Sequence, residues 1–239
     1  MKLFKVNDGV GESVTRCLAL AQVFDKAGID YCYAGEKTIE EACSEAGIDS
    51  QTLMDDLNEA AQEKTGEPIL DITAMTLTEL ADHIESTHHA YLRTAFSKLH
   101  ELIEKVVSAH GEQDLRLHQL KSKFEALTAE LSSHMMKEER ILFPMVRQLD
   151  KSDAAPEFHC GSLSNPIRQM EMEHTQAGGV LEELRQLTDT YTPPDWACDT
   201  YRAMLGSLAH LEQDLRMHIH KESGVLFPRA IESESIKSA

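Results

Sequence analysis

His134-Met135-Met136-Lys137-Glu138, followed by Leu142-Phe143-Pro144, returns 84 residues later as His218-Ile219-His220-Lys221-Glu222, followed by Leu226-Phe227-Pro228. Both stretches read H-x-x-x-E-x-x-x-L-F-P. A lone histidine stands ahead of each at a matching distance, His89 by 45 residues and His174 by 44. A duplication of this length, with polar residues at equivalent positions, marks two structural halves. On a helix, a histidine and a glutamate four residues apart share one face and lie about 6 Å apart along the axis. Helices carrying such pairs can close a binuclear metal site inside a bundle. Four imidazoles (His89, His134, His174, His218) and two carboxylates (Glu138, Glu222) supply two histidines per metal. The two glutamates can then bridge ions about 3.5–4 Å apart. Imidazole and carboxylate without thiolate suit iron or manganese better than a structural zinc ion. Coordination positions are left over for an oxo bridge, water or a diatomic gas.

Working outward, the segments around these residues carry the helical period. Leu80, Ile84, Leu92, Leu99, Leu102 and Val106 fall at multiples of three and four. With 7 prolines, 12 glycines and few β-branched runs, the chain has little material for strands. The expectation is an all-α fold: a small N-terminal helical domain over 1–65, a linker over 66–75, and an up-and-down four-helix bundle over 76–239. Its long helices are expected at about Leu77–Ala109, Gln113–Gln148, Pro166–Thr188 and Asp195–Phe227. Asp150 to Asn165 forms the longest loop. Thr76 with Glu79, and Thr38 with Glu41, read as capping boxes, and Asn165-Pro166 as a cap ahead of a first-turn proline. In the N-terminal part, Ser13–Ala27, Thr38–Ala46 and Ser50–Lys64 read as three helices. The sequence Thr65-Gly66-Glu67-Pro68 interrupts the pattern.

The 239 residues are 41% hydrophobic and 27% charged, enough for a sizeable core. Forty-one acids against 23 bases give a formal charge of -18, which repels phosphate backbones and anionic membranes and argues against a nucleic-acid partner. Five cysteines without a C-x-x-C pair fit a reducing compartment. With no signal peptide and no spanning apolar run, the expectation is a soluble cytoplasmic protein.

Among the 12 histidines, His83, His88, His100, His110, His118, His159 and His210 read as surface or near-site residues, with His88 and His220 closest to the centre. Glu139, about 100° around the helix from Glu138, reads as solvated, and Met135 and Met136 as packing. Gly178-Gly179, one turn after His174, reads as a channel opening or a close helix contact. Cys17, Cys43, Cys160 and Cys198 read as buried or incidental.

Ser132 to Glu139 with Ile141-Leu142-Phe143-Pro144, Met172-Glu173-His174, and His218 to Pro228 resemble the hemerythrin-like domain of the Repair of Iron Centres family, the YtfE/ScdA type. Phe24 to Cys32 resembles that family's short N-terminal domain. The resemblance implies a non-haem di-iron protein with two oxo- or hydroxo-bridged irons, often homodimeric, that restores iron–sulfur clusters damaged by nitric oxide or oxygen species. It implies His89, His134, His174 and His218 as ligands and Glu138 and Glu222 as bridges. Damaged iron–sulfur proteins would be the partners. Oxygen-carrying hemerythrins usually have His-x-x-x-His on the third helix and a carboxylate five residues after the last histidine. Here Gly178 and Glu222 stand instead, which argues against a plain oxygen carrier. The family's adjacent cysteines are reduced to Cys32-Tyr33, leaving Cys32 as the candidate reactive thiol. The alternative is a gas or iron sensor or carrier without turnover.

Overall fold

The computed structural model describes residues 4–32, 35–63 and 71–238. The expected linker falls partly on 64–70, outside the described residues. Among those described, the regular structure is helical and β pairing is confined to isolated bridges at Gly9/Thr38 and Phe158/Gly161.

Four short helices make up the N-terminal part: α1 (Val10–Arg16), α2 (Leu20–Lys26), α3 (Ile39–Ala46) and α4 (Ser50–Glu63). The single helix expected over Ser13–Ala27 is broken, because Cys17 adopts extended backbone (φ -150°, ψ 97°) after α1. The break frees Leu18 to pack against both the N-terminal core and the bundle. Thr38 caps α3 with the full box: its hydroxyl accepts from Glu41 N, and the Glu41 carboxylate accepts from Thr38 N. Such a cap contributes about 1 kcal/mol.

The bundle is built from α5 (Leu77–Ile84), α6 (Ala90–His110), α7 (Arg116–Lys137), α8 (Phe143–Lys151), α9 (Ser164–Leu187), α10 (Asp199–Lys221) and α11 (Phe227–Lys237). Three wide π-helical turns join them into rods: π1 (Glu85–His89) between α5 and α6, π2 (Glu138–Leu142) between α7 and α8, and π3 (Glu222–Leu226) between α10 and α11. Pro144 and Pro228 stand in the opening turns of α8 and α11. A proline inside a regular α-helix loses an amide bond and clashes with the carbonyl four residues earlier, and a widened turn relieves both. Thr76 caps α5 with the second box. Helix α9 starts at Ser164, two residues before Pro166. Its entry is held by Glu234, which accepts from Leu163 N and Ser162 Oγ, while the Asn165 side chain donates to the Cys160 carbonyl instead of capping.

Apolar faces meet in two layers. Leu92, Phe96, Leu99, Phe124, Leu131, Leu211 and Leu215 belong to one, and Leu80, Ile84, Phe143, Ile167, Leu226 and Phe227 to the other. Helix α6 packs on α7 and α10, and α7 on α9. The six repeat-selected polar residues lie where the two layers meet, at the three π turns. A third core closes the N-terminal helices, with Met217 of α10 packed against it.

Candidate metal centre

The end of π1 supplies His89, and the first residues of π2 and π3 are Glu138 and Glu222. His134 and His218 sit in the last turns of α7 and α10, and His174 in the middle of α9. All six are 2% exposed or less. The periodicity that buries the bundle's leucines turns these side chains inward at the same level.

They form two groups that share both carboxylates: His89, Glu138, His218 and Glu222 in one, His134, Glu138, His174 and Glu222 in the other. In the first, His89 Nε2 and His218 Nε2 are 3.1 Å apart, Glu138 Oε2 is 3.4 Å from His89 Nε2, and Glu222 Oε1 is 2.9 Å from His218 Nε2. In the second, His134 Nε2 and His174 Nε2 are also 3.1 Å apart. Glu138 Oε1 is 3.2 Å from His134 Nε2, and Glu222 Oε2 is 3.1 Å from His174 Nε2. Each glutamate thus gives one oxygen to each group.

This arrangement fits metal ions. Two imidazole nitrogens bound at right angles to one ion, each at roughly 2.1 Å, stand about 3 Å apart. Among the described residues, both oxygens of Glu138 and Oε2 of Glu222 are buried without a well-directed hydrogen bond, although imidazoles lie within ion-pair reach. Buried carboxylate oxygens left in this way cost several kcal/mol each unless a cation takes them up. The protein therefore has a non-haem metal site, with nitrogen and oxygen donors.

Behind these six residues, the repeat continues. His89 Nδ1 donates to Glu139 Oε1 at 2.8 Å, and Arg93 pairs with the same carboxylate. The equivalent partners in the second half are His174 Nδ1 and Ser223 Oγ, 3.0 Å apart. His134 Nδ1 donates to Glu173 Oε2 at 2.9 Å, and Lys137 pairs with Glu173. At the equivalent positions, His88 replaces Glu173 and Lys221 matches Lys137. The Lys221 ammonium donates to His88 Nε2 at 2.8 Å, and His88 stacks flat on His218, 5.5 Å between centroids. His218 Nδ1 has no hydrogen-bond partner among the described residues. The phenylalanines of the two Leu-Phe-Pro tails complete the symmetry, Phe143 stacking on His89 and Phe227 on His174.

Glu139 is therefore not the solvated residue its angle suggested. A position 100° from an inward one lies on the flank, in the groove with the neighbouring helix, and there Glu139 meets His89. Burial opposes ionisation of Glu139, but Arg93 and His89 outweigh it and lower its pKa. Burial also disfavours a charged His134. Glu138, Glu222 and Glu173 overcome that penalty and raise it to about 9. Burial would raise Glu222, yet His218 and His174 hold it well below the usual range. His218 goes the other way, lowered chiefly by burial. In the metal-free protein the carboxylates stay anionic by sharing protons with the imidazoles, so metal must displace protons to bind.

The opening nearest the centre is a pocket of about 180 Å³ between α7 and α9, lined by Glu130, Ser133, His134, Lys137, Glu173 and Ala177. Gly178 and Gly179 are not part of its lining. A Cβ on Gly179 would meet nothing within 4 Å, so neither a channel at this pocket nor a close helix contact explains that glycine. His220 sits on the other side of the site, its Nε2 3.0 Å from Thr15 Oγ1 of α1 and its ring edge-on to Tyr31. Cys32 donates from Sγ to the Arg216 carbonyl at 2.9 Å. Burial, with Asp30 beside it, pushes its thiol pKa up, which keeps it protonated and attached to α10. Tyr33, where the family's second cysteine would stand, lies outside the described residues.

The site has relatives. Residues 80–230 match the hemerythrin HHE cation binding domain, and residues 6–61 match ScdA_N, a domain of unknown function (DUF542). A probable iron–sulfur cluster repair protein of Haemophilus influenzae is 34% identical over 88% of this chain and 90% of its own. The iron–sulfur cluster repair protein ScdA of Staphylococcus haemolyticus is 32% identical over 91% and 95%. YtfE of Escherichia coli O157:H7, also an iron–sulfur cluster repair protein, is 36% identical over 93% and 94%. Two domain matches in the same order and identity along nearly the whole length show that the chain belongs to the iron–sulfur cluster repair family of the YtfE and ScdA type.

Proposed function

We propose that this protein repairs iron–sulfur clusters damaged by nitric oxide or oxygen species, using two non-haem irons held between the two halves of its bundle. His89 and His218 would hold one iron and His134 and His174 the other, with Glu138 and Glu222 offering an oxygen to each. The observation that carries this reading is the division of each carboxylate between two imidazole pairs, with three of the four oxygens otherwise without a hydrogen-bond partner among the described residues. An iron pair so held supplies redox electrons and open coordination positions for a small molecule, and iron that can be donated.

The chain's own groups set the conditions. Glu139 and Glu173 fix the tautomers of His89 and His134, keeping Nε2 of each free to ligate. Phe143 and Phe227 close the centre from one side. The pocket at His134 gives a small molecule its approach. No helix among the described residues is long and apolar enough to cross a membrane, and we place the protein in the cytoplasm as a homodimer acting on damaged iron–sulfur proteins.

The test uses a cluster enzyme inactivated by nitric oxide. Iron-loaded protein should restore its activity, and a Glu138→Ala, Glu222→Ala double variant should not. Reversible spectral changes with gas, without any restoration, would instead make the protein a sensor or carrier.

A further inference from the structure

We propose that Cys198 and His110 form a thiol–imidazole pair, a site for covalent modification by small disulfides at the end of the bundle opposite the metal centre. Cys198 Sγ lies 3.3 Å from His110 Nε2, within the reach expected of a nucleophile and its base. The two residues are 88 positions apart and come from different elements, Cys198 at the start of α10 and His110 at the end of α6.

The five cysteines are otherwise differently placed. Cys17 and Cys43 are buried, Cys32 donates to a carbonyl from a buried thiol, and the half-buried Cys160 faces the Ser162 carbonyl. Cys198 is exposed. It occupies the N-cap position of a 23-residue helix, yet its side chain makes no capping bond. Its thiol is turned to the imidazole instead.

The imidazole is held in place. His110 packs against Trp196, 5.6 Å away by centroids, and Tyr201, 5.9 Å away, two rings that also touch each other. Tyr201 is anchored through its hydroxyl to Asp114, which Arg116 also binds. The Arg202 guanidinium donates to the carbonyls of Pro194, Asp195 and Ala197, fixing the loop that carries the thiol. Asp195 and Asp199 are the acids on the same stretch. Trp196, 42% exposed, offers an apolar surface next to the sulfur. A reactive cysteine is expected in this kind of surrounding: accessible, beside an imidazole, at a helix N-terminus.

The small disulfide is itself the oxidant: one of its sulfurs is reduced to a thiol as the Cys198 sulfur is oxidised. With the imidazole proton on Nδ1, His110 Nε2 takes the proton from Cys198 Sγ. The sulfur attacks one sulfur of a small disulfide, a new S–S bond forms as the old one breaks, and the departing thiolate takes the proton back from His110. The products are a mixed disulfide on Cys198 and one free small thiol.

The probe is glutathione disulfide, followed by intact mass and peptide mapping on the full-length protein at pH 7. The expected result is a single adduct on Cys198, at least about tenfold slower in His110→Phe and His110→Gln. His110→Phe keeps the aromatic stack and His110→Gln keeps a polar group, and far-ultraviolet ellipticity checks that both fold. An arm without variants compares the wild-type rate with that of a peptide spanning residues 195–201, which should react more slowly. A peptide that reacts as fast as the protein, folded His110 variants that match wild type, or an adduct on another cysteine would each overturn the proposal.

Discussion

Glu139 accepts a hydrogen bond from Nδ1 of His89 at 2.8 Å, joining two helices whose partners are 50 residues apart in sequence. The carboxylate orients an imidazole whose other nitrogen faces the metal position. Removing such a partner typically costs 10–100-fold in metal affinity. Glu139→Ala should therefore fold normally and bind iron roughly 10–100-fold more weakly, as read by competition with a chelator of known affinity. Unchanged affinity would mean that the carboxylate serves only Arg93.

The two central glutamates should show a larger effect. Glu138 and Glu222 each face two imidazole pairs, so Glu138→Ala weakens both metal positions at once and should leave at most one iron per chain. His134→Ala, which takes away one imidazole, should lower iron content as well. His118→Ala, an exposed histidine on α7, should keep two. Metal analysis beside protein quantitation decides it, and two irons retained in Glu138→Ala would remove the bridge assignment.

Stripping the metal should leave the helices in place, because the apolar layers on either side do not depend on it. The melting temperature should fall nonetheless. A ligand that binds only the native state at 1,000 times its dissociation constant adds about 4 kcal/mol, and the stripped centre must satisfy two carboxylates with shared protons alone. Calorimetry before and after dipicolinate treatment measures the difference. Equal transitions would mean that no metal is bound in the folded centre.

Asp25 provides the pH prediction. Neither of its oxygens accepts a hydrogen bond among the described residues, and its nearest cation, Arg216, is 3.9 Å away. Burial raises its pKa from 3.8 to about 6, against the opposing pull of Arg216. Between those values the native state holds a proton that the unfolded chain has lost, so this group's contribution to stability falls as pH rises from 3.8 to 6. Above that window the charge costs up to ~3 kcal/mol. Asp25→Asn should melt higher than wild type at pH 8, with the gap closing by about pH 4, the unperturbed range of the carboxyl. A gap that is constant with pH would assign the effect to packing.

The six residues that the fold brings together were legible through a period: histidine and glutamate four apart, twice, with a histidine one helix earlier. Leu-Phe-Pro was legible as a tail of the repeat, but not the stacking of its phenylalanine on the histidine from the preceding helix. The π turns were not legible, since His134 and Glu138 stay four positions apart whether the following turn is tight or wide. Glu139 was misread because its partner belongs to another helix. The break at Cys17 was not legible because what it accommodates, Leu18 packed on two cores, is a tertiary contact. His110 and Cys198 are too distant in sequence for spacing to pair them.

The widened turns have a consequence for anyone wishing to stabilise this protein. Regular α-helix is the cheaper backbone, and deleting one residue within 138–142 or 222–226 is the obvious way to regain it. Each such edit would rotate everything beyond the turn by about 100° and carry Phe143 or Phe227 away from the imidazole it covers. Helix idealisation would thus raise helical regularity and dismantle the centre, so a thermostable version has to be sought in the loops, the caps and the N-terminal domain, with the irregular turns left as they are.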